Sequence, residues 1–231
     1  MELFELNSIS FLSGIAAVLL VLFIRLHWPF RYQYISSFNK RSEDKMKHWL
    51  EASYHKNGTR PVAYLDKSTS EILSGNYELA EKYIAHGLTI CKETPTIFNQ
   101  AIVHYLFYNL STAYFYCGRY KEALEIAFHV YERDHRLSNA LGIIVCAQAR
   151  MGDVQGAIEA YSMVSNKKLG EELRLFCLAE IDAAKGDFHR AVAHLKKLST
   201  KKNYTSIMHL HATEIEKRIE EWTKASSTQA G

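Results

Sequence analysis

The chain has 231 residues, enough to bury a sizeable core, and its 48% hydrophobic and 23% charged content suits a folded protein better than a disordered one. A formal charge of +3 is too small to argue for a nucleic-acid partner. Four cysteines, Cys91, Cys117, Cys146 and Cys177, form no C-x-x-C pair and read as free, partly buried thiols of a reducing compartment rather than as staples or metal ligands.

Residues 1–31 read as a short N-terminus and a membrane anchor. No charge interrupts residues 6–24, whose centre is "FLSGIAAVLLVLFI". Nineteen residues at helical rise cover about 28 Å, close to the hydrocarbon thickness of a bilayer. Trp28, Tyr32 and Tyr34 suit the interfacial belt. Glu2 and Glu5 precede the run without a Lys or Arg, which is the reverse of a cleavable signal peptide. Arg25, Arg31, Lys40, Arg41, Lys45 and Lys47 follow it. The positive-inside tendency therefore puts the N-terminus outside and the large domain in the cytoplasm.

Residues 32–60 read as a connector with an amphipathic helix from Ser42, stopped by Asn57-Gly58, with Met46, Trp49, Leu50 and Tyr54 on one face. That face either covers the end of the helical units downstream or lies on anionic lipid, the first being favoured. Asn57-Gly-Thr, Asn109-Leu-Ser and Asn203-Tyr-Thr fit the glycosylation triplet, but Asn109 falls inside a helical stretch instead of a loop.

From here the chain repeats itself. "GNYELAE", "GRYKEAL", "GDVQGAI" and "GDFHRAV" each place a glycine, one residue, an apolar residue and an alanine three places later. Gly118, Gly152 and Gly186 are 34 residues apart, and Gly75 precedes Gly118 by 43. Apolar residues at helical spacing flank each glycine, so each unit is helix, tight turn, helix, with glycine taking a left-handed turn conformation. Ala80, Ala123, Ala157 and Ala191 let the second helix approach the first, while Tyr77, Tyr120, Val154 and Phe188 cover the turn.

This pattern resembles the tetratricopeptide repeat, whose period is 34 residues. Phe107, Leu110 and Tyr114 match its first-helix packing positions, and Ala123, Ala127 and Val130 match its second. Leu141, Ile144, Ala157, Tyr161 and Val164 continue the pattern, followed by Leu175, Leu178, Ala179, Ala191, Leu195 and Leu198. Gln148 and Asp182 stand where a large aromatic is usual, and Lys67 and Glu71 make the first unit degenerate. The units are residues 61–92 (degenerate), 93–136 (first helix lengthened), 137–170 and 171–204. Residues 205–224 read as a capping helix with Ile215, Ile219 and Trp222 on its apolar stripe and Arg218 among its water-facing charges; residues 225–231 read as a disordered tail. The resemblance implies an all-α fold, a right-handed superhelical solenoid with a concave side lined by first helices, here carrying an N-terminal transmembrane helix.

Eleven histidines form no zinc motif, and no P-loop, nucleophile elbow or dinucleotide fingerprint is present, so neither an enzyme nor a cofactor is expected. Fold analogy points instead to a membrane-anchored adaptor or scaffold for a protein or peptide segment. The alternative is a structural or assembly subunit whose array self-associates or lies outside the cytoplasm. The concave positions are Tyr105, Tyr108, Thr112, Phe115 and Tyr116, then Asn139, Cys146 and Arg150, then Phe176 and Glu180. The aromatic excess of the second unit reads either as groove or as core. Arg150 is the lone cation expected in that groove, and Tyr108→Ala and Arg150→Glu chains are expected to fold while losing the partner.

Overall fold

A computed structural model describes residues 8–27, 43–135, 137–166, 170–201 and 208–229. Among these the protein is all-α, with eleven helices and no strand. They are α1 (Ser8–His27), α2 (Glu43–Asn57), α3 (Pro61–Leu73), α4 (Tyr77–Glu93), α5 (Ile97–Tyr116), α6 (Tyr120–Arg133), α7 (Asn139–Arg150), α8 (Val154–Asn166), α9 (Glu171–Ala184), α10 (Phe188–Ser199) and α11 (Ala212–Gln229). The connector with Ser42, Tyr32 and Tyr34, the Trp28 belt position and the Asn203 triplet lie outside the described residues.

Helices α3/α4, α5/α6, α7/α8 and α9/α10 form four hairpins, and their turns are chemically the same. After each first helix a glycine takes φ between 76° and 82° at Gly75, Gly118, Gly152 and Gly186. Its N–H and that of the next residue turn back onto carbonyls of the last helical turn: Gly118 N–H to Phe115 and Arg119 N–H to Tyr114, at 3.1 and 2.9 Å. Gly75/Asn76, Gly152/Asp153 and Gly186/Asp187 repeat both bonds. This is a Schellman motif, which satisfies carbonyls that a helix end would leave bare. The residue after the glycine then opens the second helix, accepting at its carbonyl from the N–H of Ala80, Ala123, Ala157 or Ala191. All four alanines are fully buried, as close approach of the paired helices requires.

Each second helix also packs on the first helix of the next hairpin, and first helices stack directly: α3 on α5, α5 on α7, α7 on α9. The largest core runs through α5 to α11 around Phe115, Ile143, Ile144, Leu173, Phe176 and Leu195. At Asp182, one of the two positions without the expected aromatic, an ion-pair contact stands instead. Asp182 sits within 3.3 Å of His194 and 3.7 Å of Arg190 on the paired helix. In the first hairpin Lys67 bridges Glu51 and Glu71 at 2.8 and 2.9 Å and lies over the rings of Tyr54 and Tyr83. Burial works against that ammonium, but the two carboxylates outweigh it and push its pKa up to about 12.

Helix α2 packs on α3, burying Met46 and Leu50 against Leu73. Asn109 is buried, with its amide nitrogen donating to Ser68, Thr69 and the Leu65 carbonyl, so its glycosylation triplet is closed to modification in this fold. All four cysteines are free thiols, Cys117 exposed and the other three buried. The described side chains of α1, residues 12–22, are exposed all round the helix. Among the described residues no helix is long and apolar enough to cross a membrane; the uncharged run of residues 6–24 extends beyond those side chains at both ends.

Candidate partner groove

The inner face of the array is the side of the first helices turned away from their partners. It is not open. Helix α11 packs chiefly on α10, at the end of the last hairpin as a capping helix does, while side chains of residues 208–218 also reach across the first helices and cover this face. It also stays helical through Gln229, so the first five residues of the expected disordered tail are helical.

Helix α5 supplies the middle of the floor. The Tyr116 hydroxyl donates to the Met208 carbonyl at 3.0 Å, and its ring stacks on Tyr77 with centroids 5.3 Å apart. The His209 ring stands edge-on to Tyr108 at 5.5 Å, its Nε2 lying 2.9 Å from Asn109 Oδ1. Burial pushes the His209 imidazole down to about 4, so it is neutral at physiological pH. On α7, Gly142 lets its neighbours approach closely: a Cβ there would stand 2.5 Å from Leu173 Cδ1 and 3.2 Å from Met208 Sδ, so those side-chain ends would have to shift. His211 Nε2 meets Glu43 of α2 at 2.9 Å, and in the first hairpin the Tyr77 hydroxyl donates to Glu214 at 3.1 Å.

The deepest contact is electrostatic. Arg218 of α11 is only 5% exposed, and its Nε donates to Glu180 Oε1 at 2.7 Å. It also pairs with Glu214, one turn back on its own helix. Its guanidinium lies 5.5 to 5.8 Å from the ring centres of Phe115, Tyr116 and Phe176. Arg150 reaches the same carboxylate from α7, Nη2 to Oε1 at 3.1 Å, and its guanidinium sits 5.3 Å from the Trp222 ring. Burial alone would raise the Glu180 pKa, but the charges of Arg218 and Arg150 outweigh it and hold it below the ordinary carboxylate range. Burial likewise opposes the Arg218 cation, and the charges of Glu180 and Glu214 overcome it. One carboxylate gripped by two guanidiniums among aromatic rings makes a site selective for arginine.

The ten expected groove residues separate by what they touch. Tyr108, Tyr116, Phe176, Glu180 and Arg150 do meet on the inner face, but they meet the chain's own α11 segment. Tyr108, at 6% exposure, is core. Thr112 and Phe115 are also buried, the Thr112 hydroxyl donating to the Tyr108 carbonyl at 2.9 Å. Cys146 is buried beside Cys177, and Asn139 is half-buried next to the Tyr108 hydroxyl. Only Tyr105 stays well exposed, at 40%. Arg150 is neither solvent-facing nor the groove's lone cation, because Arg218 shares its carboxylate. Both expectations for the Tyr108→Ala and Arg150→Glu chains therefore change, since each now disturbs the interior.

Arg218, Glu214, Trp222 and His209 were not singled out from the sequence as groove residues. A usable signal existed: Arg218 is three residues after Ile215 and four before Trp222, which puts it on the apolar stripe of α11 and not among the solvated charges. Nor did any motif announce an outward pocket of about 260 Å³ between α5 and α6, lined by Val103, Phe107, Ile126 and Val130 with His104, His129 and Arg133. Among the described residues no group of three or more His, Cys, Asp or Glu is placed to hold a metal. No protein-family model matches the chain, and no curated protein matches its sequence.

Proposed function

We propose that this chain is a membrane-anchored scaffold of the tetratricopeptide type, a right-handed superhelical array on the cytoplasmic side that binds a protein segment along its concave face. The observation that carries the reading is the inner face itself. Four helix–turn–helix units closed by the same turn stack through their first helices, and the surface so formed already accommodates a helix. Anchoring is supported by α1, whose described side chains include Leu12, Val18, Leu19, Leu20, Val21 and Leu22, exposed by 49 to 63%. So many exposed apolar side chains around one helix are stabilised by lipid and not by water.

Three measurements test the proposal. Alkaline carbonate extraction should leave the full chain in the membrane pellet, and protease outside right-side-out cells should spare the array. Release into the supernatant overturns the anchor, and digestion overturns the cytoplasmic placement. Crosslinking followed by affinity recovery from native membranes should yield a defined protein partner.

A second reading has a specific observation in its favour. Because α11 fills the inner face, the array could act as a structural subunit that uses only its outer surface or pairs with its own kind. Mass measurement of the detergent-solubilised chain separates the two readings: a stable dimer favours the subunit, a monomer the scaffold.

A further inference from the structure

We infer that the inner face is a binding site for an amphipathic helix bearing a buried arginine, that α11 is its resident intramolecular ligand, and that a partner protein's helix of the same chemistry displaces it. The inference rests on the scaffold reading and names the class of segment that reading requires.

Three observations carry it. The first is the selectivity of the seat. Glu180 is enclosed, and two guanidiniums hold its carboxylate: without Arg218 the 2.7 Å bond to Oε1 is lost and Arg150 alone faces a fully buried charge. An emptied groove therefore calls for another cation at the same point. The fork of an arginine between the carboxylate and the Phe115, Tyr116 and Phe176 rings fits that need better than a lysine ammonium. Ile215 three residues before and Trp222 four residues after it complete the stripe that packs into the largest core. The recognisable ligand is thus an aliphatic residue, an arginine and a tryptophan at those spacings on one helix face.

The second observation is strain. Met208 and His209, which lead the chain into the groove, both hold the left-handed region, at φ 48° and 49°. Neither is a glycine, and two consecutive residues of this kind work against the docked state. A helix arriving from another protein needs no such turn, so it gains the Arg218 contacts without this cost. Third, beyond the buried Trp222 a solvent-open crevice of about 440 Å³ lies between Phe188, Val192 and Lys196 of α10 and Thr223, Ser226 and Ser227 of α11, so the last turns of that helix are held by fewer contacts than its middle. Specific contacts in the middle, a left-handed pair of residues at one end and a solvent-open crevice at the other describe a ligand that can be exchanged.

The probe is a labelled synthetic peptide with the sequence of residues 208–229, titrated onto the full chain in detergent. Wild type, whose groove is filled, should bind it weakly. An Arg218→Glu full chain, which sets a carboxylate of its own helix against Glu180, should bind the unaltered peptide at least tenfold more tightly. The same peptide carrying Arg218→Glu should bind neither chain. A variant chain that keeps wild-type helicity and binds the peptide no better than wild type overturns the inference. Wild type that forms a concentration-dependent dimer by exchanging α11 makes a second copy the occupant and overturns the partner assignment. Should the variant lose its helicity, hydrogen exchange on wild type decides: α11 amides exchanging at least tenfold faster than those of α7 and α9 support displacement, and equal rates refute it. The assay reads neither membrane insertion of α1 nor a native partner, so its failure leaves the extraction and crosslinking results standing, and theirs leaves it standing.

Discussion

Arg150 shows how burial alters the meaning of a substitution. Its side chain is 22% exposed and its partner Glu180 is fully enclosed. Arg150→Glu would bring two carboxylates together in the core, and breaking a buried pair in this way costs about 3–5 kcal/mol. Chemical denaturation should show that loss. Tyr108→Ala should cost a similar amount, as truncating a large buried aromatic does, again read as a lowered unfolding midpoint. His209 introduces a pH dependence with a definite sign. Its folded pKa, about 4, lies below the ordinary 6.5, so the unfolded chain binds the proton first. Its contribution is complete above about pH 6.5 and is lost as pH falls toward 4, by up to about 3 kcal/mol. The groups facing the ring are the uncharged Tyr108 and Asn109. Glu180, held below the carboxylate range, loses its own contribution only at lower pH. Unfolding midpoints measured between pH 7 and 5 should therefore fall for wild type and stay flatter for His209→Gln.

Among the elements, the four turns carry the most regular information. At Gly118 a Cβ would meet nothing within 4 Å, so an alanine there would feel only the backbone cost of φ 78°. Gly118→Ala should destabilise by about 1 kcal/mol, and Gly118→Asn by less, because asparagine tolerates the left-handed region better. Equal midpoints for the two in a denaturant titration would contradict this account. The same glycines explain what could be read from the sequence. A residue required at a left-handed helix end recurs visibly, so four hairpins and their buried alanines were legible from the residues alone. That α11 packs on α10 agrees with its capping stripe, but the reach of residues 208–218 across the first helices was not legible, because a stripe shows that one face is covered without naming the helices that cover it. Arg218 was misread for a related reason: charge type suggested water, while its register between Ile215 and Trp222 pointed inward, and here register prevailed because Glu180 and Glu214 were waiting for it. Met208 and His209 gave no local signal, because neither is the glycine or asparagine that marks a left-handed position in a sequence.

At the scale of the whole molecule, stacked hairpins ordinarily behave as a one-dimensional row in which each unit depends on its neighbours and the ends fray first. Here a single segment touches Glu43 of α2, Tyr77 of α4, Tyr116 of α5, Arg150 of α7, Glu180 of α9 and the face of α10. It acts as a strap that ties the first unit to the last and joins neighbour couplings into a loop. The wild-type array should then unfold in one sharp step. Loosening the strap by Arg218→Glu should lower the denaturant slope and separate the signals of early and late units, as seen by tryptophan fluorescence at Trp49 and Trp222 against helical circular dichroism. Binding would then have a mechanical consequence. A partner that takes the place of the strap also cuts the tie between the two ends, so occupancy would be felt as a change in the stiffness of the whole array.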